Sequence, residues 1–202
     1  EMLKGLELKR DIEAILLANQ KKVTGDTTTA RKTGAVLSWL KTNESTSGTA
    51  PGNSDGGTSR TDGTQRAFTE AQLKTVLSAI WTSGGKPDVI MVGAFNKQQF
   101  STFTGRASPV EDTKSKKITA SVDAYESDFG TIKVVANRFQ RTRDALVLQM
   151  DMWALCHLSG RKMLSVPLSK TGDSVKKMVV SEYVLEARNE KASGGVFDLT
   201  DA

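Results

Sequence analysis

KITASVDAYESDFGTIKVVANRFQRTR, residues 117–143, decides the reading of this chain. Its first half alternates Ile118, Ala120, Val122 and Ala124 with Thr119, Ser121, Asp123 and Tyr125, the period-two pattern of a half-buried strand. The run from Asp128 to Gly130 marks a turn, and Ile132 to Ala136 predicts a returning strand. Arg138, Arg141 and Arg143 then form a cluster with Phe139 interleaved. No residues in the stretch are spaced for catalysis, so it reads as an element of shape and contact.

Working outward, short strands are expected at Ala145 to Gln149, Trp153 to Leu158 and Met163 to Leu168. One long strand is expected from Val175 to Arg188, well beyond the usual five or six residues and long enough to link two subdomains. Upstream, the apolar, β-branched run Asp88 to Gly93 predicts a buried strand, and Asn96 to Phe103 a helix closed by Gly105. Thr69 to Ser83 carries a capping box at Thr69 and Gln72, a stripe of Leu73, Val76, Leu77, Ile80 and Trp81, and a stop at Gly84 and Gly85 backed by Pro87. The chain opens in a helix running to about Gln20, with Leu8, Ile12, Ile15 and Leu16 on one face. A short apolar unit, Ala35 to Leu40, follows with Trp39 as its anchor. Residues 43–65 are almost wholly Ser, Thr, Gly, Asn and Asp, which predicts a flexible surface loop, either a contact loop between subunits or a tolerated insertion.

With 202 residues the chain is long enough to bury a core without staples. Its 38% hydrophobic, 25% charged composition is that of an ordinary globular chain, and no apolar run approaches the roughly 18 residues of a membrane helix. The formal charge of +5 is spread along the sequence, apart from the arginine cluster. One cysteine excludes an internal disulfide. The first ten residues lack the apolar centre and cleavage site of a signal peptide, and they begin as if a helix were already under way.

A search for chemistry finds little. Cys156 and His157, each the sole residue of its type, are neighbours in an expected strand and so should point to opposite faces. Neither has a second thiol or imidazole with which to complete a typical zinc site. The glycines match no phosphate-binding fingerprint. Glu111 with Asp112, Glu126 with Asp128, and Glu182 with Glu186 read as solvated surface charge. The arginines have three open readings: contact with phosphates, pairing with carboxylates across a subunit boundary, or solvation in a loop.

Segments in order along nearly the whole chain, residues 7–14 (ELKRDIEA), 87–93 (PDVIMVG), 127–139 (SDFGTIKVVANRF), 170–173 (KTGD) and 185–190 (LEARNE), resemble the major capsid proteins of tailed bacteriophages with the Hong Kong 97-like fold. None is an active-site motif. The resemblance implies an α+β fold with a peripheral domain over 1–86 holding a spine helix and the loop 43–65. It further implies an axial domain with a mixed sheet over 87–174, and a long strand within 175–202 returning to the peripheral domain. The N-terminal arm and extended loop that precede the spine helix in such proteins are absent from this chain, which is therefore expected to assemble poorly as it stands.

By the same resemblance the function is structural, not enzymatic. The chain would self-assemble into hexamers and pentamers of an icosahedral head enclosing double-stranded DNA. Its partners would be itself, scaffolding, protease, portal or decoration proteins, and packaged DNA held non-specifically, with no membrane, metal or cofactor. It would reside in the virion, and in the host cytoplasm during assembly. Candidate subunit-contact residues are Arg138, Arg141 and Arg143, with Glu7, Arg10 and Asp11 on the opening helix. The rival reading is a nucleic-acid-binding module built on the three arginines, and a weaker one is a hydrolase using His157 or Cys156.

Overall fold

A computed structural model describes residues 2–48, 50–103, 124–170 and 172–200. Helix α1 covers Met2–Leu16, α2 Val36–Trp39, α3 Glu70–Thr82 and α4 Ala94–Phe100. The strands are β1 (Glu44–Ser45), β2 (Val89–Val92), β3 (Ala124–Ser127), β4 (Gly130–Ala136), β5 (Asp144–Leu148), β6 (Trp153–His157), β7 (Leu164–Pro167), β8 (Lys177–Val180), β9 (Tyr183–Ala187) and β10 (Gly194–Phe197). Ile118, Ala120 and Val122 of the expected first strand lie outside the described residues, as do Gly105, Glu111 and Asp112, while Ala124 opens β3.

A mixed six-stranded sheet runs in the order β1-β10-β5-β2-β4-β3, with β1–β10 and β2–β4 parallel and the other pairs antiparallel. Strand β5 lies inside the sheet, and every one of its residues is buried. Its side chains alternate between two cores. Ala145 and Val147 join Leu73, Val76, Leu77 and Ile80 of α3, together with Phe100 of α4. Leu146 and Leu148 join Leu17, Val36, Leu37 and Leu40, with Leu185 of β9. A strand covered on both faces reads as a continuous apolar run, as Ala-Leu-Val-Leu does here.

Helix α3 forms where its signals coincide. The Thr69 N–H donates to Gln72 Oε1 at 3.1 Å, and the Gln72 N–H donates to Thr69 Oγ1 at 3.5 Å, closing the capping box. At the other end Gly84 takes φ +80°, and the N–H groups of Gly84 and Gly85 return to the carbonyls of Trp81 and Ile80, a Schellman stop. Burying Leu73, Val76, Leu77 and Ile80 contributes roughly 1.5–3 kcal/mol each relative to exposure. Trp81 departs from the expected stripe: it is 52% exposed and stacks on Phe129, with ring centroids 5.2 Å apart.

Two further expectations are corrected. The run Val175 to Arg188 is two strands, β8 paired with β7 and β9 paired with β6. His157 pairs with Tyr183, and the next ladder starts at Leu164 with Val180. Six residues of one strand thus face only Ser181 and Glu182 of the other, and the excess folds into a turn with positive φ at Gly160 and Met163. Residues 43–65 are folded in rather than being a free loop: Asn43 and Arg60 are buried, Ala50 bridges Thr61, and the Asn53 N–H donates to Ser38 O at 2.9 Å. Asn43, Thr46, Ser47, Gly48, Arg60 and Gly63 bond to partners distant in sequence, among them Asn19, Lys191 and Asp198, which composition does not reveal. Helix α3, which precedes residue 86, shares a core with β2, β4 and β5. Among the described residues no helix is long and apolar enough to cross a membrane.

Candidate assembly site

The arginine cluster sits where β5 begins. Asn137 shapes the approach: its carboxamide oxygen accepts from the Phe139 N–H at 2.8 Å, and its amide donates to Glu13 of α1 at 2.6 Å. This turns Arg141 and Arg143 toward the body of the chain. Arg141 Nη2 donates to Asp62 Oδ2 at 2.6 Å, and its Nη1 lies 3.3 Å from Asp144 Oδ2. Arg143 Nη2 donates to the Gly63 carbonyl at 2.7 Å and to Asp198 Oδ1 at 3.4 Å, with Nη1 3.6 Å from Asp62. Arg138 is exposed.

Asp198 is the hub. It takes φ +60°, a region tolerated by Asp, and its carboxylate accepts from Thr46 Oγ1 at 2.6 Å, Gly63 N at 2.7 Å, Gly48 N at 2.9 Å and Ser47 N at 3.1 Å. Burial opposes its charge, yet these hydrogen bonds hold its pKa at about 2. Asp144 is the converse. It is fully buried, neither carboxylate oxygen receives a hydrogen bond, and burial pushes its pKa up to about 6 against the pull of Arg141 and Arg60. Arg60 lies 3.6 Å over the Phe197 ring and pairs with Glu44; burial lowers its pKa to about 10. Arg66 donates to Ser45 Oγ at 2.9 Å, bringing β1 into the same network.

These contacts tie Thr46, Ser47, Gly48, Asp62 and Gly63 to Arg141 and Arg143 ahead of β5 and to Asp198 just after β10. Sequence reasoning found Arg141 and Arg143 and missed Asp62, Asp144, Asp198, Arg60 and Arg66. The available signal was the density of alternating charge in Arg60-Thr-Asp62 and Arg141-Thr-Arg-Asp144, two short runs that find each other only in the fold.

The remaining candidates lie elsewhere. Glu7 pairs with Lys4 at 2.7 Å on the exposed face of α1, and Arg10 and Asp11 are exposed on the same helix. Cys156 and His157 are successive in β6. The Cys156 thiol meets Glu186 Oε2 at 3.0 Å, a bond that raises its pKa, while His157 Nδ1 lies 3.4 Å from Ser181 Oγ. Both residues line a groove of about 810 Å³ that also takes in Ile15, Tyr183 and Val184. A protonated thiol tied to a carboxylate is a poor nucleophile. Among the described residues no group of His, Cys, Asp and Glu is placed to hold a metal ion.

The fold and site thus define a mixed α+β protein whose charged groups hold chain segments in place. Comparison with known proteins makes this more specific: the chain matches the SU10 major capsid protein family over residues 1–200, and it belongs to that family. It is 27% identical over 234 residues to the major capsid protein of Escherichia phage Phieco32, an alignment covering 96% of this chain and 65% of that protein. The chain therefore spans just under two thirds of the length of this curated relative. A solved virus-like particle from Pyrococcus furiosus overlaps at a TM-score of 0.38 and 9% identity, covering 66% of this chain and 54% of that one, too loosely to define the fold.

Proposed function

We propose that this chain is the shell-forming subunit of a phage head, packing as rings of six and five into an icosahedral container for double-stranded DNA. The observation that carries this reading is the family match along residues 1–200. The reading places α1 as the spine helix of a Hong Kong 97-like subunit, with Glu7, Arg10, Asp11 and Arg138 at its contacts with neighbours. Work is done by contact geometry: apolar cores fix the subunit, and polar surface groups set the angle at which copies meet. The subunit would act in the virion, after assembling in the host cytoplasm.

The nucleic-acid alternative is disfavoured by one observation. Arg141 and Arg143 are held by Asp62, Asp144 and Asp198 of their own chain, which leaves Arg138 alone of the three exposed. Phosphate binding needs guanidinium groups free to displace counterions. Negative-stain electron microscopy of the full-length gene product expressed in bacteria tests the proposal. Closed shells or their ring-shaped precursors are expected, and a product that stays monomeric at high concentration overturns it.

A further inference from the structure

The β7–β8 ribbon has one largely apolar face, with Lys176 at its open end. Leu164 pairs with Val180 and Val166 with Met178, and the Leu168 N–H donates to Lys176 O at 2.9 Å in the same register. Paired residues of an antiparallel ladder share a face, so Leu164, Val166, Leu168, Met178 and Val180 lie together with Lys176 beside Leu168, while Ser165, Pro167, Lys177 and Val179 point away. The rest of the described chain leaves this face open: Leu164 is 40% exposed, Leu168 45% and Met178 45%. A two-stranded hairpin is marginal by itself in water, and contiguous exposed apolar surface marks a contact site. The ribbon's edge is a poor site for strand addition, because Leu168 turns its N–H inward and alternation leaves Pro167 facing out with no N–H to give. Lys162 and Lys170 flank the face, and Lys176 at its open end adds positive charge.

A complementary surface lies at the β3–β4 turn. There Trp81, 52% exposed, stacks on Phe129. Phe129 borders a cleft of about 430 Å³ whose carboxylates are Glu70, Glu126 and Asp128, the first of them paired with Lys74 at 2.9 Å. Exposed aromatic area with an acidic flank suits an apolar ribbon with a basic flank.

We propose that the β7–β8 ribbon of one copy seats its apolar face on the Trp81–Phe129 surface of a second copy, with Lys162 and Lys170 against Glu126 and Asp128. The proposal rests on the shell-forming reading and specifies one of its contacts. Because the two surfaces differ, the contact is head-to-tail and propagates into rings rather than stopping at a dimer.

The test uses the full-length gene product in sedimentation velocity and electron microscopy. Leu168→Asp with Met178→Asp, on exposed positions, should leave the thermal melt in place and lower the assembled fraction at least about ten-fold, the loss expected on removing central apolar anchors. Reversing the ribbon (Lys162→Glu, Lys170→Glu) or the cleft (Glu126→Lys, Asp128→Lys) should also impair assembly, and combining both reversals in one chain should restore it. In a Cys156→Ser background, Leu168→Cys chains mixed with Trp81→Cys chains should form a mixed disulfide. Assembly unaffected by the ribbon variants, no rescue by the double reversal, or disulfides only between like chains overturns the contact while leaving the shell-forming reading intact. Failure of the unmodified product to assemble overturns both.

Discussion

Asp198 and Asp144 each pair with an arginine of one cluster, Arg143 and Arg141 respectively, and behave in opposite ways. Replacing Asp198 by Ala strands the Thr46 hydroxyl, three backbone N–H groups and Arg143, and should cost about 3 kcal/mol in urea unfolding, the scale for breaking a buried charged network. Asp198→Asn should cost less, because asparagine tolerates the positive φ and keeps one acceptor oxygen. The two carboxyls also set opposing pH dependences. Asp144, raised from 3.8 to about 6, contributes stability below its ordinary pKa and loses it as pH rises through about 6. Asp198, lowered to about 2, contributes above 3.8 and loses that contribution as pH falls toward about 2. Stability should therefore fall between about pH 4 and pH 7 by something on the order of 2 kcal/mol, and Asp144→Asn should flatten that decline in a series of urea midpoints. An unchanged slope would show that Asp144 does not carry it. Arg143→Ala should act mainly on folding, with nucleic-acid binding, if any is measurable, keeping its salt slope.

At the scale of elements, Thr69→Ala removes the cap of α3 and should lower stability by about 1 kcal/mol. Gly194→Ala should be worse, because a Cβ there would lie 2.1 Å from the Asn43 carbonyl oxygen, and overpacking of this kind costs about 1–3 kcal/mol or more. Thermal melts of the two variants rank the effects, and equal losses would mean that β10 yields more easily than its packing implies. Helix α3 was legible because its cap, stripe and glycine stop all lie within a few turns of one another in sequence. The break between β8 and β9 was not legible, because it is caused by the surplus turn around Gly160 on the opposite strand. Trp81 misled because helical spacing places it on the stripe, while Phe129, its actual partner, comes from the β3–β4 turn. The polar residues 43–65 misled for a related reason: local composition predicts loss of order, and Asp198 supplies the order from far along the chain.

At the scale of the molecule, three layers place α3 and α4 on one face of the sheet and α1, α2 and the β6–β9 pair on the other, with the β7–β8 ribbon left open. Arg141 and Arg143 pair with carboxylates of their own chain, Arg138 is exposed, and the β7–β8 ribbon presents exposed apolar side chains. Family membership connects this architecture to shell building, and electron cryo-microscopy of particles formed by the full-length product tests that connection most directly. Closed shells are expected in which this chain repeats in rings of five and six, each ribbon resting on the neighbouring copy. A product that yields no closed particles, or shells whose repeating unit is not this chain, would contradict that expectation.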